Sequence, residues 1–228
     1  MPMKNDLNPV AADAPVTRAL EPPVLEPVVG TAESASLHPL LARRRSPRAL
    51  GGGRVPDATL RRLLEAARWA PSSSNGQPWS FIVFHREETA THVPAADLLM
   101  SRNRLWAPLA PLLMVALAQT RKPDGAPNPG ALYDLGLAVG QLVTQATAEG
   151  LALHQMGGFD KARARDVLGI PEGWEPVVMI AIGLAGDAAE LPEELRASET
   201  APRTRRPLAE TAFNGRFGLP LAPAAPAR

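Results

Sequence analysis

The chain has 228 residues, 45% of them hydrophobic and 21% charged, with a formal net charge of +1. That length suits one sizeable domain, and the near-neutral balance gives no global attraction to nucleic acid or to a membrane surface. There is no cysteine, which excludes disulfides, thiolate zinc centres, iron–sulfur clusters and a cysteine nucleophile, and fits a reducing compartment.

Residues 1–36 are rich in Pro, Ala, Val and Glu and follow neither a helix nor a strand period. They predict a flexible extension, or an arm that packs on a partner subunit. Acids and prolines stand where a signal peptide would carry its apolar region. The longest apolar stretches, Leu109–Ala118 and Pro176–Ala185, fall short of the ~20 residues that cross a bilayer. The expectation is a cytoplasmic protein without a membrane or nucleic-acid partner, folded over residues 37–218 with a flexible tail at 219–228.

Leu37, Leu40 and Leu41 form a short amphipathic stretch that runs into Arg43, Arg44, Arg45, Ser46, Pro47 and Arg48. After a glycine loop, Pro56 and Asp57 mark a helix start with Asp57 as N-cap, and Leu60, Leu63, Leu64 and Ala67 recur at helical spacing. Ala70–Pro71 ends that helix, because the residue before proline is biased away from α. Ser72–Gln77 holds no apolar residue and reads as a loop. Trp79–Phe84 reads as a strand and Leu109–Ala118 as a second, fully buried one. A Pro/Gly-rich turn fills 121–130, and Leu132 to Ala146 then mark a long buried helix that stops at Gly150. Leu151–Gln155 is extended, Asp160 caps a short helix ending at Gly169, and Val177–Leu184 is a third apolar strand. Helices and strands mix without regular βαβ alternation, so the fold class expected is α+β.

Three local constellations could carry chemistry. Arg44, Arg45, Ser46 and Arg48 offer guanidinium forks and a hydroxyl to phosphate oxygens, and a second basic group, Arg203–Thr204–Arg205, lies far downstream. Pro71, Ser72, Ser73, Asn75 and Gln77 crowd donors between a helix end and a strand, which suits the carbonyls and ring nitrogens of a flat heteroaromatic. Met156, Gly157 and Gly158 precede a helix start, where glycine admits a ligand close to the backbone and the helix N-terminus favours negative charge. Taken singly, each is also what a solvated helix end, a plain turn or a strand-to-helix turn looks like. The four histidines, His38, His85, His92 and His154, share no metal-ligand spacing, and no catalytic role is assigned to them.

The order of these pieces resembles the FMN-dependent nitroreductase family. The resemblance rests on Arg44-Arg45-Ser46-x-Arg48, Ala70-Pro71-Ser72-x-x-Asn75-x-Gln77-Pro78-Trp79, Gly158-Phe159-Asp160 with Leu168-Gly169-Ile170-Pro171, and Arg203-x-Arg205-x-Pro207. It covers about 37–218, and the serine–asparagine–glutamine–proline–tryptophan segment is its most specific part. It implies a nitroreductase-like α+β fold, with a central mixed or antiparallel sheet flanked by helices, in an intertwined homodimer with two FMN sites at the interface. It further implies that Arg44, Ser46 and Arg48 hold the FMN phosphate with Arg203 and Arg205. Asn75, with Ser72 and Ser73 nearby, would meet the pyrimidine edge from the other subunit, and Gly157 and Gly158 would present backbone N–H groups near the flavin N5. The activity implied is hydride transfer from NADH or NADPH to a nitroaromatic, a quinone or a similar small acceptor, by ping-pong kinetics with no side chain as nucleophile. A specialised dehydrogenase, dehalogenase or flavin-consuming enzyme of the same fold, or a non-catalytic flavin-binding or storage module, stays open. Pro47 departs from the pattern by removing one backbone donor, and the 86–104 segment shows no pattern that would define the substrate.

Overall fold

A computed structural model describes residues 37–221. The expected N-terminal extension and the end of the expected C-terminal tail lie outside the described residues.

Five strands form one antiparallel sheet: β1 (Leu50–Gly51), β2 (Trp79–His85), β3 (Leu112–Gln119), β4 (Ala152–Met156) and β5 (Trp174–Ala185). β5 is the axis of the sheet. β3 pairs along one of its edges and carries β2 beyond it, while β4 and β1 lie end to end along the other.

The unbroken apolar run of β3 is explained by burial on both faces, since every residue from Leu112 to Ala118 is buried. Its side chains alternate between two cores. Leu113, Val115 and Leu117 face one cluster, whereas Leu112, Met114, Ala116 and Ala118 face the other.

The second cluster is closed by α2 (Asp57–Arg68), through Leu63 and Ala67, and by α4 (Ala131–Ala148), through Leu135, Ala138, Val139, Leu142, Val143 and Ala146. The first is closed by α3 (Thr89–Ala96), α5 (Lys161–Leu168) and α6 (Glu193–Thr200), which bury Ala95, Ala164 and Leu195. The result is a three-layer α+β architecture. Each fully buried Leu or Ile in these layers contributes about 1.5–3 kcal/mol. Among the described residues no helix is long and apolar enough to cross a membrane.

Where β1, β4 and β5 meet, the sheet is crowded. A Cβ on Gly183 would lie 2.8 Å from Pro111 Cδ and 2.9 Å from the Gly51 carbonyl oxygen, so only glycine fits. This junction fixes where the chain emerges into β1, immediately after the basic turn Arg44–Arg48.

Local details differ from the sequence reading. Pro56, not Asp57, occupies the N-cap of α2, and Asp57 instead accepts from Arg54 at 3.1 Å. β3 starts at Leu112, and Leu109 is 60% exposed in a 3-10 turn, Ala107–Leu109. The 86–104 segment forms α3 and a 3-10 turn, Ser101–Leu105, and the charged 186–206 stretch contains α6. Both helices are eight residues long and present little apolar face, α6 burying only Leu195. Asp160 caps α5 as expected, accepting from the Arg163 N–H at 2.9 Å, and Gly169 ends it with φ +62.

Candidate functional site: a basic cluster, a strained serine loop and a glycine pair

The two basic segments meet in space. α1 (Pro39–Arg43) ends with unpaired carbonyls, and Arg203 reaches them, donating to Ala42 at 2.6 Å and to Arg44 at 2.7 Å. Arg44 donates to Ser46 Oγ at 3.0 Å, Arg45 reaches the Ala201 carbonyl at 3.3 Å, and Arg205 donates to its neighbour Thr204 at 2.7 Å. Among the described residues no carboxylate forms an ion pair with Arg44, Arg45, Arg203 or Arg205.

The charge is therefore concentrated and uncompensated. Burial, then Arg205 and Arg203, holds Arg44 below the usual arginine range, and burial with Arg45 and Arg205 does the same to Arg203. A dianionic phosphate relieves this repulsion and accepts several charge-assisted hydrogen bonds. Arg48 differs from these four, since its guanidinium lies 3.7 Å from Glu199 and 3.3 Å from Ser198 Oγ.

The serine loop follows α2 as a 3-10 turn, Ser73–Asn75. Four non-glycine residues have positive φ among the described residues, and three are here: Ser74 at 51, Asn75 at 54 and Gln77 at 46. Such backbone persists only where surrounding contacts over-determine it, and it gathers at ligand sites. Those contacts are visible. Ser72 Oγ accepts the Gln77 N–H at 3.0 Å, Gln77 donates to the Asn75 carbonyl and side chain at 3.2 Å, and Asp134 accepts the Ser73 N–H at 3.2 Å. Asp134 is 4% exposed and is the one charged residue in α4. A pocket of about 500 Å³ opens beside the loop, lined by Ser73, Ser74, Gly76, Lys122 and Asp134 among others.

Gly157 and Gly158 follow β4, exposed, with Met156 buried behind them. The Gly158 carbonyl accepts from the Met100 N–H at 3.1 Å and from Asn103 Nδ2 at 3.2 Å. A Cβ at Gly158 would lie 2.9 Å from Asn103 Nδ2, so a larger residue there would push the Asn103 side chain aside. Ser101, the fourth residue of positive φ, sits in the turn that carries Asn103.

The fold thus brings together Arg44, Arg45, Ser46, Arg203 and Arg205 at one place. Pro71, Ser72, Ser73, Asn75 and Gln77 share another. The two places lie at opposite ends of α4. Arg43 donates to the Thr147 carbonyl at 3.0 Å, whereas Ser73 is tied to Asp134. Thirteen residues of helix at 1.5 Å each separate those anchors by about 20 Å.

Three residues that brace these segments were given no site role from the sequence. Asn103 and Glu199 act through contacts 55 and 151 residues away in the chain, which local pattern cannot show. Asp134 did leave a signal, as a lone acid at helical spacing in an apolar stripe. Among the described residues no group of His, Asp and Glu is placed to hold a metal ion.

Comparison with known proteins places this architecture. The chain belongs to the nitroreductase family, whose sequence model matches residues 41–184. A crystal structure described as an oxidoreductase containing FMN aligns with TM-score 0.75 and 37% identity, over 79% of this chain and 92% of that one. An uncharacterised 15.4 kDa protein of Mycolicibacterium smegmatis is 34% identical over 123 residues, 54% of this chain and 82% of its own length. An NADH dehydrogenase of Thermus thermophilus is 27% identical over 173 residues, covering 62% and 82% respectively.

Proposed function

We propose that this protein is an FMN-dependent oxidoreductase that passes hydride from NADH or NADPH to a small oxidised acceptor of nitroaromatic or quinone type. The observation that carries the proposal is the meeting of four guanidinium groups, from segments about 160 residues apart in the chain, with no carboxylate paired to them. Within a nitroreductase fold, that cluster fits the phosphate of FMN. The 37% identical structure described as containing FMN and the relative named NADH dehydrogenase support the cofactor and the electron donor.

The rest of the donor set fits a flavin as well. Arg44, Arg45, Ser46, Arg203 and Arg205 hold the phosphate, with Arg48 beside them. Gly157 and Gly158 give the backbone access to the ring edge, and an added Cβ on Gly157 meets nothing within 4 Å, so the approach there is open. Pro71, Ser72, Ser73, Asn75 and Gln77 supply donors for the ring carbonyls and nitrogens. FMN bound here supplies the hydride chemistry, with donor and acceptor using one site in turn, so ping-pong kinetics are expected.

The 20 Å separation within one chain supports a site shared between two protomers. A two-fold axis crossing α4 near its middle would set the serine loop of one protomer against the arginine cluster of its partner. The exposed face of α4 suits that contact. Leu132, Tyr133, Gly136, Gly140, Gln141 and Ala148 are all uncharged, and added Cβ atoms at Gly136 and Gly140 meet nothing within 4 Å.

Titration of the purified protein with FMN, followed by quenching of flavin fluorescence, tests the cofactor. Saturable binding with one FMN per protomer is expected. Absence of binding would overturn the proposal.

A further inference from the structure

We propose that His154 and Glu199 are positioning residues that grip the Pro47–Arg48 peptide at its two ends and so set the phosphate-binding turn, an inference that rests on the FMN reading above. His154 Nδ1 lies 3.1 Å from the Pro47 carbonyl oxygen. The carbonyl can only accept, so Nδ1 carries the hydrogen. Glu199 receives the N–H of the same peptide, with Oε1 at 2.8 Å and Oε2 at 3.0 Å from Arg48 N. Oε1 also accepts the Ala49 N–H at 3.1 Å, and the Glu199 side chain is 9% exposed.

A peptide unit is planar, so fixing its carbonyl and its N–H together fixes the plane. The turn needs such a hold. Pro47 has no N–H to anchor, and the residues before it spend their side chains on the anion cluster. Both grips are themselves seated. His154 sits in β4 opposite Ala181 and packs at a 52° tilt against the buried Trp106 ring, with centroids 4.7 Å apart. Glu199 stands in the last turn of α6, just before the segment that carries Arg203 and Arg205. The charged groups acting on the imidazole are Arg48 and Glu199, and burial, its largest influence, holds it below the ordinary imidazole range.

Charge alone predicts the opposite of the expected result. Removing a carboxylate beside an anion site should tighten FMN binding, whereas loss of a grip should loosen it. In the full chain, His154→Leu and Glu199→Leu are expected to raise the FMN dissociation constant about tenfold and leave that of riboflavin, which lacks the phosphate, unchanged. His154→Asn keeps a donor near Nδ1, and Glu199→Gln keeps the acceptor Oε1. Both should hold FMN within about threefold of wild type. FMN binding unchanged or tighter in the leucine variants, or FMN and riboflavin weakened alike, overturns the proposal.

Should the leucine variants fail to fold, Glu199→Asp withdraws the carboxylate and keeps its charge. Amide exchange at Arg48 and Ala49 is then expected to be slow in wild type and fast in that variant, and equal rates overturn the proposal. If wild type binds neither flavin, the FMN reading falls, and the amide-exchange comparison alone decides whether the grip exists.

Discussion

Arg205 and Arg203 stand side by side yet serve the site differently. Arg205 is exposed and spends one hydrogen bond on the adjacent Thr204 carbonyl, whereas Arg203 ties two carbonyls at the end of α1. Arg205→Ala is expected to weaken FMN binding by about 1.5–3 kcal/mol through loss of a charge-assisted contact, with an unchanged Tm. Fluorescence titration and a thermal melt read the two effects, and unaltered FMN affinity removes Arg205 from the site. Asn75→Ala is expected to change the flavin spectrum and turnover and to leave the phosphate grip intact. An identical spectrum and turnover count against its role. Gly183→Ala drives a methyl against Pro111 and a backbone oxygen, so a loss of about 1–3 kcal/mol of stability is expected in denaturant unfolding. At this scale the sequence was legible where a site is built from neighbours in the chain, as in Ser72–Gln77. It was silent on Glu199 and His154, whose partners lie 151 and 107 residues away.

Among the elements, β2, β3 and β5 were readable as continuous apolar runs and α4 by its helical period. The unbroken apolar run of β3 and the nine buried residues of α4 marked these elements, although the β3 start was placed three residues early. α3 and α6 were not readable, because short helices that rest on one or a few small contacts need no amphipathic pattern. The other face of α4 is equally regular. Tyr133, Gly136, Gly140 and Thr144 lie on one side of the helix at spacings of three and four, a stripe with no charge. A dimer formed there should tolerate no charge at its centre. Gly140→Arg is expected to convert a dimer to a monomer in analytical ultracentrifugation and to weaken FMN binding at least about tenfold, since each site would lose its partner's serine loop. The protomer itself should stay folded, because the added side chain meets open space. A monomeric wild-type protein, or a variant that remains dimeric and binds FMN normally, contradicts the shared site.

Among the described histidines and acids, the groups that shift all do so downward. Burial, the largest cause for both, holds His92 and His154 below their ordinary 6.5, while ion pairing with Arg62 and Arg68 holds Glu149 and Glu65 below 4.5, Glu65 down to about 2. In each case the unfolded chain binds protons more readily than the folded one. Stability is therefore complete above about pH 6.5 and is lost as pH falls, first through the histidine window and again below 4.5. Urea unfolding between pH 8 and pH 4 checks this, and a chain that gains stability on acidification contradicts it. The whole-molecule arrangement was the least legible from sequence, since only the fold brings Arg44 and Arg203 together and sets the serine loop a helix length away.

The chemistry proposed for this fold is a bound flavin that a nicotinamide reduces. The measurement that tests it most directly is the absorbance spectrum of the FMN-loaded protein between 300 and 600 nm, recorded anaerobically before and after addition of NADH or NADPH. Flavin bands are expected to bleach with at least one nucleotide and to return when a quinone is added. Bands that persist with both nucleotides would contradict that chemistry and leave a flavin-binding module without this activity.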